Sequence, residues 1–463
     1  MALGSPDWRI VMRPRQHPHS VFVVLAAGLL SLAFVGQTHA QVQQKVLYNF
    51  CPNKGCLDGA GANGDLIFDS AGDLYGTTFQ GGANCFGGCG TVFQLSPSNG
   101  SWSETVLYSF CAGGIQNCPD GAAPQAGLVT DTAGNLYGTT KTGGTFGLGT
   151  VFELIRPSRP GAAWTEVVLW SFGGQDDGQL PLSRLTFDLA GNLYGTTQQG
   201  GPFSGGTVFQ LITPKSGTQW TENVLYAFGS DHFNGYYPTS AITFDAAGNL
   251  YSTTSAGGAK EGSGLGVVFK LSPSRQAPWA LTVLFRFSQR SGGYPFSGIN
   301  FDSLGNLYGT VSEDAAGYGA IYRLTPKNGG SEKSMPFLGT PDGSTPLGGV
   351  LVRGSTLYGV THDGGAQNKG TVFRVNGKKD TILYDFCSQP NCVDGSGPSG
   401  NLTLHARSLF GVTQTDGEFG KGVVFQISIP TPSRRTNISR RVIARKPNLA
   451  SASTNSSLAI AAK

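Results

Sequence analysis

The chain has 463 residues, of which 70 are glycine, and its formal net charge is +4. Glycine is about twice as frequent as the ~7% of an average protein, while charged residues are about half as frequent as usual. The 11% of aromatic residues excludes a wholly disordered chain, the low charge excludes a coiled coil, and the irregular glycine spacing excludes a collagen-like helix.

The first 40 residues have the pattern of a signal peptide. Arg9, Arg13 and Arg15 precede an uncharged apolar run at residues 21–36, and Thr38 and Ala40 place small side chains at a cleavage site. The run is shorter than the ~20 residues that a membrane-spanning helix needs. We therefore predict cleavage after Ala40 and a secreted or periplasmic protein. An uncleaved N-terminal anchor is the alternative.

A hexapeptide with the pattern NLYGTT recurs seven times along the chain, with its aromatic residue at positions 75, 137, 194, 251, 308, 358 and 410. A short apolar run ending in Asp precedes most copies. A GTVFQL-like and a VLYSF-like segment follow, the latter degraded at residues 334–337. These segments are short and rich in β-branched and aromatic residues, as strands are. Four strands in every ~55 residues predict an all-β fold, a seven-bladed β-propeller of four-stranded blades over residues 41–427.

The segments at the two ends predict how the ring closes. If the run ending in Asp is the innermost strand, the VLYSF-like segment is the outermost strand of each blade. One such segment, at residues 46–50, precedes every innermost strand, and the last GTVFQL-like segment, at residues 422–427, has no outermost strand after it. We therefore predict that residues 46–50 complete the seventh blade and remove the exposed sheet edge.

The repeated unit GNLYGTT…GG…GTVF…L resembles the GloVer tandem repeat of secreted bacterial proteins with varied C-terminal anchors. The resemblance covers most of residues 46–427 and implies an exported β-propeller. It assigns no catalytic residue and says nothing about a ligand. Residues 428–463 depart from the anchored members, since they hold seven basic residues, no acidic residue and no apolar run of spanning length. We predict a disordered basic tail, no transmembrane anchor in the mature chain, and release rather than surface attachment.

All eight cysteines follow residue 40 and fall into four local pairs. The pairs are Cys51 with Cys56, Cys85 with Cys89, Cys111 with Cys118, and Cys387 with Cys392. An even number of cysteines in an exported chain predicts a disulfide within each pair. Structural zinc is the alternative, disfavoured because only three histidines follow residue 40.

The loops from an outermost strand to the next innermost strand carry Asp-Gly or Asn-Gly in six copies. Together with nearby tyrosines they form a candidate ligand-binding ring: Asp58, Asp120, Asp177, Asp342, Asp394, Tyr236, Tyr237 and Tyr294. Carboxylates around one mouth suit Ca²⁺ or sugar hydroxyls. Simple turn chemistry is the alternative, because Asp-Gly is a common turn dipeptide. Apart from this Ca²⁺, no cofactor or metal ligand is predicted.

No catalytic residue is assigned, since neither a GxSxG elbow in a strand–turn–helix context nor H-E-x-x-H occurs. Sparse, scattered Lys and Arg indicate no nucleic-acid partner, and we expect a monomer. The sequence favours an exported, non-catalytic binding scaffold for an extracellular polysaccharide or an envelope protein. The alternative is an extracellular glycan lyase or hydrolase that uses loop carboxylates at the propeller mouth. A purely adhesive or matrix role is a third reading.

Overall fold

The computed structural model describes residues 42–84, 88–113, 118–259, 264–275, 278–325, 331–377 and 379–429. Thus the predicted signal peptide and the basic tail beyond Ile429 lie outside the described residues. The described part forms β-strands and two short 3-10 turns, at His232–Asn234 and Pro390–Cys392. It contains no helix with the length and apolarity to cross a membrane.

Seven four-stranded antiparallel sheets form a ring, which confirms the seven-bladed β-propeller. The first strand, β1 (Gln44–Asn49), is the outer strand of the last blade. Blades one to three are, from the channel outwards, β2 (Ala60–Phe68), β3 (Leu74–Gln80), β4 (Thr91–Ser98), β5 (Ser101–Ser109); β6 (Val129–Thr130), β7 (Leu136–Thr140), β8 (Thr150–Ile155), β9 (Thr165–Ser171); and β10 (Thr186–Phe187), β11 (Leu193–Thr197), β12 (Thr207–Ile212), β13 (Thr221–Ala227).

Blades four to seven continue the same order, with small additions. Blade four has two inner segments, β14 (Tyr236–Pro238) and β15 (Thr243–Phe244), on β16 (Leu250–Ala256), followed by β17 (Val267–Ser272) and β18 (Ala280–Arg286). The others are β19 (Asn300–Phe301), β20 (Leu307–Val311), β21 (Ala320–Thr325), β22 (Ser331–Pro336); β24 (Leu351–Arg353), β25 (Thr356–Thr361), β27 (Thr371–Asn376), β28 (Lys379–Asp385); and β29 (Ser396–His405), β30 (Ser408–Thr415), β31 (Val423–Ser428). A small separate pair is β23 (Gly343–Ser344) with β26 (Asp363–Gly364).

The ring closes between the two ends of the described chain, as the sequence predicts. Strand β1 pairs antiparallel with β31, so that Gln44 lies opposite Ile427 and Asn49 opposite Val423. The seventh sheet therefore has the order β29-β30-β31-β1. An open edge on β31, which would template unwanted pairing, is thereby covered.

The repeated hexapeptide is explained by a hydrogen-bonded turn between the first two strands of five blades. In blade three Asp188 Oδ1 accepts from the Ala190 and Asn192 amides, while Oδ2 accepts from Asn192 Nδ2 at 2.7 Å and from the Tyr194 hydroxyl at 3.1 Å. Asp69, Asp131, Asp245 and Asp302 act in the same way in their blades. The Asp, the Asn and the Tyr of the motif thus serve this turn.

Neighbouring blades pack through one aromatic pair at each boundary. Phe110, at the end of one outer strand, lies edge-on to Phe152 of the next blade at 5.1 Å between ring centroids, and the equivalent pair recurs at all seven boundaries. The hexapeptide glycine makes room for this ring, because a Cβ on Gly138 would lie 2.6 Å from Phe152. Seven apolar clusters, one at each boundary, form the core.

Three of the four predicted disulfides are described and confirmed: Cys51–Cys56, Cys111–Cys118 and Cys387–Cys392. Cys89 is disulfide-bonded as well, while its predicted partner Cys85 lies outside the described residues. The three described disulfides follow outer strands, so they fasten the loops that lead to the next blade.

Candidate functional site

A cavity of about 360 Å³ lies at the centre of the ring and is lined by residues of all seven blades. Its walls come from the segment between each outer-strand loop and the following innermost strand. Two variable positions in this segment form two rings of residues around the cavity. In each blade one small residue separates the two positions. The outer ring is Asn63, Gln125, Leu182, Thr239, Phe296, Leu347 and Ser399, and the inner ring is Asp65, Gly127, Arg184, Ala241, Gly298, Gly349 and Asn401.

Hydrogen bonds between adjacent blades hold this segment in place. Leu180, whose φ of 57° is left-handed, donates its amide to the Leu148 carbonyl of the preceding blade at 2.9 Å. The same bond recurs at Gly61, Ala123, Tyr237, Tyr294, Thr345 and Gly397. Deeper in the channel, the first threonine of the hexapeptide in blades one to five donates to a wall carbonyl of the next blade, as Thr77 does to Ala126 at 2.9 Å. The wall is therefore fixed by backbone contacts, which leaves the two rings free to vary.

One half of the inner ring carries a connected polar network. The Asp65 carboxylate accepts from the Asn401 amide at 2.7 Å and from Asn401 Nδ2 at 2.9 Å, and Arg184 Nε lies 3.4 Å from Asp65 Oδ2. Arg184 comes from blade three and reaches past blade two, where Gly127 stands. A Cβ on Gly127 would lie 2.7 Å from the Asp65 backbone, so this glycine allows the wall of blade two to approach Asp65 closely.

The rest of the lining offers groups that bind hydroxyl-rich ligands. Side-chain amides come from Gln125, Gln198 and Gln414, and Phe296, 40% exposed, presents an aromatic ring. The hydroxyls of Thr239 and Ser399 are buried without a hydrogen-bond partner. A buried polar group without a partner is costly, so these two oxygens favour a bound water or ligand in the channel.

The five predicted aspartates lie outside this lining, each in the loop after an outer strand. In four of them the carboxylate accepts from the aromatic residue of that strand and from loop amides: Asp58 from Tyr48 and Cys51, Asp120 from Tyr108 and Ala112, Asp177 from Trp170 and Gly173, and Asp394 from Tyr384 and Ser388. Asp342 accepts from the Leu338 amide at 3.0 Å. These contacts are those of loop-fastening residues, and a ligand-binding or Ca²⁺ role for the aspartates stays a prediction.

The three predicted tyrosines also lie outside the channel lining. Tyr237 and Tyr294 have positive φ and donate their amides to the preceding blade. Tyr236 contacts Tyr237 with ring centroids 4.8 Å apart. All three side chains are partly buried, and their binding of a sugar ring is likewise a prediction.

A second set of carboxyl groups lies between blades, beside the loop aspartates. Burial raises the pKa of Glu104, Glu166 and Glu222 to about 8, and the neighbouring carboxylates of Asp58, Asp120 and Asp177 add to the rise. One carboxyl oxygen of each glutamate is buried without a hydrogen-bond partner, as is Asp120 Oδ1. The raised pKa indicates that these glutamates are largely protonated at neutral pH.

Sulfur atoms form the one group of potential metal ligands found among the described residues. The sulfurs of Cys89, Cys111 and Cys118 lie within 4.8 Å of one another. All three cysteines are disulfide-bonded, and a metal ligand must be a thiolate. This group therefore does not support the zinc alternative.

Sequence reasoning missed the channel residues, although a signal was present. Six copies read P-x-(Ala/Ser/Gly)-x-(Leu/Ile/Val) directly after the Asp-Gly-type loop, for example at residues 181–185. The two x positions are the two channel rings. Their variation within a fixed frame marks positions that the fold leaves free.

The sequence of this chain matches the family model of the Gloeobacter/Verrucomicrobia repeat over residues 34–265, 114–313 and 245–441. No curated protein matches the chain. Among solved structures, the polysaccharide lyase Uly1 is similar at 10% identity and a TM-score of 0.45, over 79% of this chain and 90% of the lyase. A puromycin hydrolase mutant complexed with PGG is similar at 12% identity and a TM-score of 0.49, over 81% of this chain and 55% of the hydrolase. The chain belongs to the Gloeobacter/Verrucomicrobia repeat family.

Proposed function

We propose that this protein is an exported binding protein that holds the end of a polysaccharide chain in its central channel without cleaving it. The observation that carries the proposal is the channel lining: side-chain amides, hydroxyls, one guanidinium and one exposed phenyl ring around a cavity of about 360 Å³. Amides and guanidinium groups bind sugar hydroxyls, and an aromatic ring offers a surface for a sugar ring. The disulfides and the signal-peptide pattern support export.

Two features favour binding over catalysis. Hydrolysis of a glycoside needs two carboxyl groups facing one bond, whereas Asp65 is the one acidic residue among the described lining residues and is engaged by Asn401 and Arg184. The same lining contains no His, Lys, Tyr, Cys or Glu that would act as a general base. The loop aspartates, in turn, are occupied by hydrogen bonds within their loops.

The size of the cavity favours a sugar end over an envelope protein. Small-molecule sites typically measure about 300–1,000 Å³, and the channel is at the lower end of this range. A folded protein partner would instead need a broad surface, of about 800 Å² on each side. The wall is also held by hydrogen bonds in every blade, so the ligand meets a preformed site.

The test uses the whole purified, oxidised chain against a panel of microbial and plant polysaccharides. Thermal unfolding detects ligands that bind the folded state, and a reducing-sugar assay in the same wells detects cleavage. We expect one class of polysaccharide to raise the midpoint, with no released product. Released product would contradict the non-catalytic proposal and direct mutagenesis to Asp58, Asp120 and Asp177. A panel without any shift would contradict polysaccharide binding and favour a protein partner.

A matched pair of variants locates the site. Arg184→Gln removes the guanidinium of the channel, and we expect it to weaken binding about tenfold or more, as loss of a charge-assisted hydrogen bond does. Arg156→Gln is the control variant. Arg156 also faces an aspartate, with 3.8 Å to Asp69, but this pair lies at the ends of the strands opposite to the channel site. Equal affinity of both variants and the parent chain would place the ligand outside the channel.

A further inference from the structure

A second, larger cavity of about 840 Å³ lies between blades five and six. Its walls are the outer strand and inner turn of blade five and the short hairpins of blade six. Ile321, Leu357 and Val375 form an apolar floor, and Arg323, Lys333, Asp302 and Asp380 bring charged groups to the walls. The cavity is distinct from the central channel and shares no lining residue with it.

The cavity exists because three aromatic side chains that fill the equivalent spaces are missing. Met335 pairs with Ile321 at the position where Tyr108 pairs with Val92. Val352 replaces the phenylalanine that precedes the second strand in blades three to five. Blade six also lacks the tryptophan that precedes or begins the outer strand of blades one to four. Those residues are Phe187, Phe244 and Phe301, and Trp102, Trp164, Trp220 and Trp279.

Tyr308 is left uncovered as a result. The hexapeptide aromatic residue is buried in the other six blades, with exposures between 2% and 8%, while Tyr308 is only partly buried. In the neighbouring boundary, Tyr251 lies edge-on to Phe301 at 5.1 Å. At Tyr308 the counterpart of Phe301 is the aliphatic Val352. The space beside Tyr308 therefore has the shape of an aromatic ring, since rings occupy it elsewhere in the same molecule.

Arg323 supplies a positive charge beside this space. Its guanidinium carbon lies 5.9 Å from the centre of the Tyr308 ring, and its Nε is buried without a hydrogen-bond partner. Lys333 adds an exposed ammonium group to the wall. Of the two acids, Asp302 is saturated by bonds from Leu304, Asn306 and Tyr308, and Asp380 is exposed. An unpartnered guanidinium beside a ring-shaped space is complementary to a planar acid.

We propose that the cavity between blades five and six binds a small aromatic carboxylate. The ring of the ligand takes the place of the missing tryptophan and phenylalanine against Tyr308, and its carboxylate accepts hydrogen bonds from Arg323. Lys333 stabilises the same charge from the cavity wall. The volume is within the usual range for small-molecule sites. The inference is independent of the channel and of polysaccharide binding.

The test measures binding of indole-3-acetate to the whole chain by calorimetry, with indole-3-acetamide as the neutral analogue and acetate as the ringless one. We expect saturable binding of indole-3-acetate, weaker binding of the amide and none of acetate. Arg323→Gln should weaken indole-3-acetate about tenfold or more while changing the amide little. Glutamine stands at this strand position in Gln94, Gln210 and Gln426, so the variant is compatible with the fold.

Two further variants keep the result interpretable. Val352→Phe gives blade six the phenylalanine that blade five has at the equivalent position, where Phe301 covers Tyr251. We expect the new ring to fill the space beside Tyr308 and to abolish binding of both indoles while the chain remains folded. Arg374→Gln makes the same substitution at the same strand position of blade six, away from the cavity, and should leave binding unchanged. Absence of saturable binding, or binding that survives both Arg323→Gln and Val352→Phe, would overturn the proposal.

Discussion

The boundary between blades one and two and the boundary between blades five and six have the same strand arrangement but different packing. The first is filled by aromatic side chains, and the second contains a cavity. In the first, Tyr75 is 2% exposed and lies against Trp164 at 6.4 Å, and Tyr108 donates to Asp120 at 2.8 Å. In the second, Tyr308 lacks the tryptophan and the phenylalanine that cover the equivalent tyrosines at other boundaries, and Met335 replaces the outer-strand tyrosine. A cavity of about 840 Å³ remains. The backbone frame is common to both.

This difference shows what the repeat needs and what it leaves free. The phenylalanine pair, the hexapeptide glycine and the bonds between loops are present at both boundaries, because they set the distance between blades. The outer aromatic residues can be lost without breaking the ring. A boundary that has lost them is thus a place where a ligand can take over the packing.

Removing β1 should have the largest effect on stability, because every boundary between blades depends on the closed ring. Deletion of residues 42–50 exposes the edge of β31 and removes the buried Leu47 and Phe50. We expect a loss of more than about 5 kcal/mol, a large part of the usual 5–15 kcal/mol of stability. Chemical denaturation measures the loss, and a peptide of residues 42–50 added in trans should restore part of it. An unchanged midpoint would mean that closure does not support the ring.

Truncation of Trp164 at the boundary between blades one and two should have the next largest effect on stability. Trp164→Ala should lower the free energy of unfolding by about 2–4 kcal/mol, because it leaves a cavity against the buried Tyr75. Met335→Ala at the open boundary should cost less than about 1 kcal/mol, since its side chain already borders empty space. Urea unfolding of both variants gives the comparison. Equal losses would show that the two boundaries are packed alike.

Loss of one hydroxyl tests the outer part of the filled boundary. Tyr108→Phe removes one of the two donors to the carboxylate of Asp120, which is 7% exposed, and leaves only the Ala112 amide. The loss should cost about 1–3 kcal/mol, because the remaining bond does not replace the one to this buried charge. The matched control is Tyr226→Phe, whose partner is the neutral Asn234 at 3.4 Å, with an expected loss below about 1 kcal/mol. The opposite ranking in equilibrium unfolding would contradict a stabilising role of the Tyr–Asp pair.

The outer-strand glutamates should also make the stability depend on pH. Their pKa lies near 4.5 when unfolded and near 8 when folded. Between these values the folded state binds more protons, so stability falls as the pH rises through this window. We expect the thermal midpoint to be higher at pH 5.5 than at pH 8.5. Replacing Glu104, Glu166 and Glu222 by Gln should flatten this dependence, and a slope that the triple variant keeps would rule these groups out as its source.

The sequence was sufficient for the architecture because the repeat encodes contacts that recur in every blade. The order of the four strands in each blade and the ring closure by residues 46–50 could both be read from pattern and order. The innermost strands were harder to place, since β6, β10, β15 and β19 are two residues long. Three local disulfides also followed from spacing and cysteine number.

The candidate sites were largely invisible in the sequence for a physical reason. The repeated Asp-Gly loops predict a ring of ligand-binding carboxylates, but Asp58, Asp120 and Asp394 in these loops are hydrogen-bonded to Tyr48, Tyr108 and Tyr384. Repetition in a propeller marks what every blade needs for folding. Function is expected where copies differ, at Arg184 in the channel and at Val352 and Met335 beside the open boundary. Of the three changes beside the second cavity, only the degraded segment at residues 334–337 was recognised at the level of the sequence.

The closing strand also imposes an order in time. Strand β1 is among the first described residues to be synthesised, and its partner β31 is among the last. The pairing of Gln44 with Ile427 can therefore form only after almost the whole described chain has been synthesised. Six blades can assemble in succession from local hairpins, but the seventh requires a contact that spans almost the whole chain. Such non-local contacts form late and slowly. Until then β31 and β1 are both exposed edges, and the interval before closure is when the protein is most open to aggregation and to proteases.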